Sequence, residues 1–390
     1  MVLAVISVDH GASTRHDLAT RPEALEVIEL VAGNIVVYDN PIPALRSRHA
    51  FFPGMAAVPS GDLVAPYSVG EAFESDDHRV HVSRSRDKGR TWQHKGPMNI
   101  GARNGLGSMK PTLLDDGSVL AIGYAFYRED PHILVNATTG GLPAGADLLS
   151  VSRDDGKTWS LPEPMTLSRP ELLEISGPAI QLRDVGDVLA IGTPLTRWDG
   201  TRPSGHVGVL LRSEDRGRMW DDRALYFNHP TITPLEARLC QMESGRLVAI
   251  VWAFDERAGR GLNNHIVISH DEGRTWSDPC DIGIAAQASN LLPLANDRLL
   301  SVHAQRESDP TGVVVRVVDL ANDRWTTLAE CNVWGRAAAM KVTGFGDMGT
   351  NLKFGQPALI DIGAGEFLVY HWAIENGQGR ILAHLIRVRD

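Results

Sequence analysis

The chain is poor in the features that mark several large classes of protein. Its 390 residues hold only three cysteines, Cys240, Cys280 and Cys331. The number is odd, the spacings are wide and no CxxC pair occurs, which speaks against a disulfide framework or a structural zinc site. The three read instead as small buried residues in strands. Basic blocks are absent and the formal net charge is −10, whereas a nucleic-acid binder needs a basic stripe. No stretch approaches the roughly 18 apolar residues of a membrane span. The opening MVLAVISVDH has no basic segment before its apolar run, so it reads as an edge strand rather than a secretory leader. The default expectation is a cytoplasmic protein with no membrane partner. Nothing in the pattern points to a cofactor or a metal.

What is present is repetition. Four segments align without gaps: Ser85-Arg-Asp-Lys-Gly-Arg-Thr-Trp92, Ser152-Arg-Asp-Asp-Gly-Lys-Thr-Trp159, Ser213-Glu-Asp-Arg-Gly-Arg-Met-Trp220 and Ser269-His-Asp-Glu-Gly-Arg-Thr-Trp276. A fifth, Val318 to Trp325, keeps the Trp and has Asn322 at the Gly position. Asn tolerates positive φ better than most residues. The Asp carboxylate can accept N–H bonds within its own turn, the Gly supplies a left-handed residue, and the Trp packs its ring into a core. Each copy therefore reads as a strand–turn–strand staple.

A second repeat lies upstream of each staple: an apolar run, a turn residue, then another apolar run. Its six copies begin near Pro53, Pro111, Pro178, Ala237, Asn290 and Pro357. One such hairpin plus one staple hairpin makes a four-stranded antiparallel sheet. Six sheets at this spacing predict an all-β, six-bladed β-propeller forming a single domain over residues 1–390. The last blade lacks a staple, so Asn34-Ile-Val-Val-Tyr38 is expected to supply its outer strand and close the ring. Residues 21–31 are left open, since Pro22 also suits the first turn of a short helix. Non-repetitive stretches at 70–78, 126–147, 196–206, 255–264 and 331–352 are the places to look for a binding face.

The S-x-D-x-G-x-T-W boxes resemble the Asp-boxes, or BNR repeats, of the sialidase (neuraminidase) superfamily. The resemblance covers about residues 48–390 through the blade rhythm, and it implies a propeller more strongly than an activity. Bacterial-type sialidases open the first blade with Arg-Ile-Pro, whose Arg grips the sialic acid carboxylate; here Phe51 stands in its place and Arg48 is out of register. The family Glu precedes the turn Gly of a middle blade by nine residues, and Glu236 precedes Gly245 by nine. Trp252 falls near the family's second Arg, and Gln356 falls where the family has its Tyr nucleophile. A Gln cannot replace that nucleophile, nor can Phe or Trp replace a bidentate Arg clamp.

Chemistry is expected where residues just before each inner strand face the channel mouth: Phe52, Lys110, Gly177, Glu236, a position near Ser289 or Asn290, and Gln356. Lys110 and Glu236 could equally form a plain salt bridge. A second ring, at the ends of the second strands, offers Tyr127, Arg128, Arg197, Trp198, Asp199, Trp252, Asp255, His303, Arg306, His371 and Trp372. Aromatic residues beside Arg, Asp and His suit a sugar, and Arg48 and His49 are further candidates. The expectation is a glycan-active protein, an exo-acting glycosidase on a sugar other than a conventional sialoside. Glu236 would be its acid or base, with Asp255, Asp199 or His49 as partner. Lys110, Arg48, Arg128, Arg197, Asp199, Trp252, Arg306, Gln356 and His371 would bind substrate. A non-catalytic carbohydrate- or protein-binding propeller and a true sialidase with relocated Arg residues are the alternatives.

Overall fold

A computed structural model describes residues 27–99, 105–307, 311–335 and 352–389. Among these residues the chain forms six antiparallel sheets and no α-helix, the sole helical element being a 3₁₀ turn at Ala321–Asp323. No helix is long and apolar enough to cross a membrane. Blade 2 shows the plan: Leu106–Leu113 lies innermost, followed by Val119–Phe126, Gly145–Ser152 and Glu163–Pro164. Blade 4 repeats it with Ile232–Gln241, Leu247–Asp255, Arg260–Ser269 and Cys280–Asp281. Blade 5 runs Ser289–Pro293, Arg298–Gln305, Gly312–Asp319 and Thr326–Trp334. In blades 1 and 3 the inner strand is split into two short pieces, His49–Phe51 with Ala56–Ala57 and Leu173–Glu174 with Ile180–Gln181.

Blade 6 is closed as expected. Val27–Tyr38 pairs antiparallel with Gln378–Arg389, outside Glu366–Glu375 and Phe354–Gly363. The pairing reaches from Val27 opposite Arg389 to Tyr38 opposite Ile381. Of the open segment at 21–31, residues from Val27 onward are strand; the reading of the first ten residues as an edge strand lies outside the described residues.

The staples form as their sequence dictates. In the first, Asp87 Oδ1 accepts from Thr91 N–H (2.8 Å), Asp87 Oδ2 from the Thr91 hydroxyl (2.6 Å), and Ser85 Oγ from Gly89 N–H (2.8 Å). The Trp92 ring N–H donates to the Gly89 carbonyl at 3.0 Å. The same set recurs around Asp154 and Asp271, and around Asp215 without the hydroxyl bond, because Met219 replaces Thr. Thr275 leads the donors that hold the Asp271 carboxyl down at about 2. In the fifth copy Asn322 takes positive φ (54°), as its place required.

Each staple also docks on the preceding blade, a role the sequence did not disclose. A Cβ on Gly89 would meet Leu368 of blade 6, one on Gly156 Val64 of blade 1, one on Gly217 Leu120 of blade 2, and one on Gly273 Leu210 of blade 3. Glycine here serves both the left-handed turn and the close approach of neighbouring blades. Arg84 and Arg212 reinforce the seams by donating to the carbonyls of Asp155 and Glu272 in the next staple. The apolar core is thus a ring of clusters shared between blades, such as the one joining Leu189 and Leu210 of blade 3 to Leu247 and Ala249 of blade 4. This continuous packing fixes the position of the axis, where the inner strands converge.

Candidate active site

Two inner strands break their pairing at the axis. The register slips between Leu235 and Arg238 in blade 4, and between Gly355 and Ala358 in blade 6. In these bulges Glu236 and Gln356 adopt φ of 45° and 43°. Phe52, at the corresponding place in blade 1, has φ 55°. Left-handed backbone at non-glycine residues costs on the order of 1–3 kcal/mol each and clusters at functional sites. Here it re-aims side chains out of the blade plane.

The re-aimed groups meet. Gln356 Nε2 donates to Glu236 Oε1 at 3.2 Å, and Lys110 Nζ donates to Gln356 Oε1 at 2.9 Å. Lys110 also donates to the carbonyls of Phe52 (3.0 Å) and Pro53 (2.7 Å). Burial, helped by Arg238, pulls the Lys110 pKa well below its ordinary value, while Glu236 opposes this. Its three oxygen acceptors match the three donors of an ammonium group. The simple Lys110–Glu236 salt bridge weighed from sequence is therefore replaced by a bridge through an amide.

Above this network lies a cavity of about 1490 Å³, lined by Phe52, Tyr124, Glu174, Glu236, Trp252, Gln356 and residues of the surrounding loops. A separate space of about 10 Å³ lies between Pro53, Lys110, Arg238 and Gln356, room for about one water.

A second carboxylate stands beside Glu236. The Glu236 backbone N–H donates to Glu174 Oε2 at 3.2 Å. Burial and the Glu236 charge push the Glu174 carboxyl up to about 8. Burial likewise raises Glu74 to about 7, against the pull of Arg128. Tyr124, half-buried in the same wall, is raised well above its ordinary value by burial and by Glu74, Glu174 and Glu236. Its phenol therefore stays protonated as a donor. A carboxyl group raised by burial beside a second carboxyl group is the raw material of acid–base chemistry.

The arginines of the cavity are largely occupied. Arg306 donates to the Phe354 carbonyl (3.0 Å) and Gln287 Oε1 (3.2 Å). Arg128 donates to the carbonyls of Glu74 and Pro131, and Arg202 to Thr196 Oγ1 at 2.8 Å. Arg238, lining the smaller space, donates to Ser176 Oγ at 2.8 Å and the Ala237 carbonyl at 2.9 Å. Arg260 is at the exposed rim. Among the described residues no group of three or more His, Cys, Asp and Glu is placed to hold a metal ion.

Of the sequence candidates, the structure brings Glu236, Gln356, Trp252, Arg306 and Arg128 to the cavity, with Lys110 lining the smaller space. Others are placed elsewhere. His49 accepts from Gly379 N–H at its Nδ1 (3.0 Å), contacts Ser47 Oγ through Nε2 (2.9 Å), stacks on Phe51 and is not among the residues lining the cavity. Arg48 lies 3.9 Å from Asp77. Asp255 closes its own hairpin by accepting from Arg257 and Ala258 N–H. Asp199 does the same for Thr201, and Arg197 is held in that exposed loop by its backbone. His371 is fully buried against His384, ring nitrogens 3.0 Å apart. Glu174, Glu74 and Tyr124 went unread in the sequence.

Comparison with known proteins agrees with this architecture. No family model matches the chain. A curated relative, a Bacteroides fragilis (strain YCH46) sialidase, is 27% identical over 252 residues, 58% of this chain and 42% of that protein. The chain thus matches less than half the length of that relative. Among solved structures, a Dyadobacter fermentans DSM 18053 protein of unknown function superposes with a TM-score of 0.73 at 19% identity, covering 93% of this chain and 99% of that one. The Hadza microbial sialidase Hz136 gives 0.61 at 19% identity, covering 86% and 65%. A Penicillium chrysogenum α-L-arabinanase complexed with arabinobiose gives 0.60 at 14% identity, covering 92% and 98%. The chain is thus a six-bladed propeller that shares its fold with these structures and is similar in sequence, over part of its length, to a sialidase.

Proposed function

We propose that the protein is an exo-acting glycoside hydrolase on a sugar other than a conventional sialoside. Glu174 is its general acid and Glu236 the carboxylate that acts as base or nucleophile. The observation that carries this reading is the pair itself: two carboxyl groups on adjacent blades, bonded through the Glu236 N–H, one pushed up to about 8 and the other accepting from an amide. A glycosidic bond is cleaved by such a pair. The cavity has room for the end of a glycan, and Trp252 with Tyr124 offers faces for the apolar side of a sugar ring. Against a sialoside stand Phe51 and Trp252 at the family's Arg positions, and arginines already committed to protein oxygens. Charged carboxylate recognition needs free bidentate donors.

The test is a panel of aryl glycosides and oligosaccharides, one sialoside included, with the parent protein and Glu236→Gln. Turnover of a neutral glycoside by the parent, abolished in a variant with an unchanged melting temperature, supports the reading. Preference for the sialoside, or full activity in Glu236→Gln, overturns it.

A further inference from the structure

Lys110 and Gln356 are buried, 3% and 6% exposed, and the proposed chemistry does not require either to touch substrate. Their geometry assigns them another task. Both polar ends of the Gln356 amide are engaged: Oε1 accepts from Lys110 at 2.9 Å and Nε2 donates to Glu236 at 3.2 Å. An amide has one acceptor end and one donor end, so the Lys110 ammonium fixes which way it points. Were the amide reversed, its N–H₂ would face an ammonium and its oxygen a carboxylate. Three left-handed residues, Phe52, Glu236 and Gln356, contribute to this one chain of bonds from three blades.

We propose that Lys110 and Gln356 are positioning residues: Lys110 orients the Gln356 amide, and the amide holds Glu236 ionised and correctly aimed, so that the proton of the carboxylate pair resides on Glu174. The inference rests on the proposed acid–base roles but concerns a different property, the charge state of Glu236. The groups bearing on that carboxylate are Glu174 from blade 3, Arg238 from its own strand, Tyr124 and Lys110 from blade 2, and Arg306 from blade 5. Arg238 is committed to Ser176 and to carbonyl oxygens. Among the described residues, the Gln356 amide is the one side-chain donor on the Glu236 carboxylate. A hydrogen bond to the charged form favours ionisation, so losing it shifts the proton toward Glu236.

The experiment is Gln356→Met, close in volume and without polar atoms, followed in two ways. Infrared difference titration, with Glu236→Gln subtracted in each background, reads the protonation of Glu236 whether or not any substrate is turned over. We expect its midpoint to move up by about one pH unit. With a substrate in hand, the acid limb of the kcat profile should move up equally, with KM little changed. Gln356→Glu, which restores an acceptor for Lys110 but adds a like charge beside Glu236, should raise the midpoint further. An unchanged midpoint in folded Gln356→Met overturns the proposal, even if the enzyme is slow. A shifted midpoint in a protein that cleaves no glycoside sustains the relay and overturns only the hydrolase reading.

Discussion

Replacing Glu174 by Gln separates the acid from the rest of the site. The amide oxygen can still accept the Glu236 N–H that Glu174 Oε2 accepts at 3.2 Å, so the local backbone keeps its bond. What is lost is the transferable proton and the charge that the carboxyl acquires above about pH 8. General acid catalysis is worth roughly 10²–10⁴-fold, or about 2.7–5.4 kcal/mol in the barrier. That loss should depend on the leaving group. A glycoside of a weakly acidic alcohol needs protonation of its departing oxygen and should show the full loss. A dinitrophenyl glycoside departs without help and should keep most of its cleavage rate. Burial and the Glu236 charge raise the Glu174 carboxyl, so the alkaline limb that its ionisation would give the parent should vanish from the variant. The assay is kcat/KM across a leaving-group series at several pH values. An equal loss for every leaving group, or an alkaline limb that persists, refutes the role of Glu174 as acid.

Other consequences follow from the same geometry. Burial raises Glu174 to about 8 and Glu74 to about 7 in the fold. Their contribution to stability is complete below the unfolded carboxyl value and is lost as pH rises through 7 and 8; urea midpoints should fall as pH rises from about 4.5 to about 8, and fall less in Glu174→Gln. The buried pair His371 and His384 is pushed the other way by burial, His371 to about 4. That contribution is complete above about pH 6.5 and lost as pH falls toward 4, up to roughly 1.4 kcal/mol per pH unit for each group. Replacing His384 by Leu should flatten the acid side of the curve, and an equally steep curve would count against the assignment. Met219 is 65% exposed at the place where three staples carry Thr. Met219→Thr adds the hydroxyl bond to Asp215 found at 2.6–2.7 Å in the others, and should stabilise the protein by about 0.5–1.5 kcal/mol, read as a higher urea midpoint.

The architecture was legible because its determinants are local and repeated. A staple needs Ser, Asp, Gly and Trp at fixed spacing, and each such group acts within one turn. The site was legible only in part, because it is assembled across blades. Glu236 and Gln356 could be found by counting back from turn glycines, since the bulge recurs at the same distance in both blades. Glu174 lies in a split inner strand, Leu173–Glu174, that breaks this count. Tyr124 did leave a signal: Val119-Leu-Ala-Ile-Gly-Tyr124-Ala-Phe126 aligns without gaps on Leu247-Val-Ala-Ile-Val-Trp252-Ala-Phe254. The same register that placed Trp252 in the cavity placed Tyr124 there. Asp255, Asp199 and His49 failed to reach it for a common reason. A short polar side chain at a loop or strand end is more readily satisfied by a nearby backbone group than by a distant partner, and each of the three has such a bond.

The departures from the sialidase pattern also fall together rather than singly. Where that family has a Tyr nucleophile, Gln356 is tied to Lys110 below and Glu236 beside it. Where it has Arg residues, Phe51 packs edge-on to Trp372 and Trp252 lines the cavity. A site that had merely decayed would leave polar groups of the old network without partners in a buried channel, at a cost of about 1–3 kcal/mol each. Along the axial chain of bonds Lys110, Gln356 and Arg238 are paired, and Phe52, Glu236 and Gln356 take left-handed backbone there, while Arg128 Nε, Arg202 Nε and Trp372 Nε1 in the surrounding wall are buried without a hydrogen-bond partner. Strain retained at the axis, around a carboxylate that opens onto a large cavity, argues that this centre is maintained for work on a ligand. On the proposed reading, the glutamate pair stands in for the arginine clamp and the tyrosine.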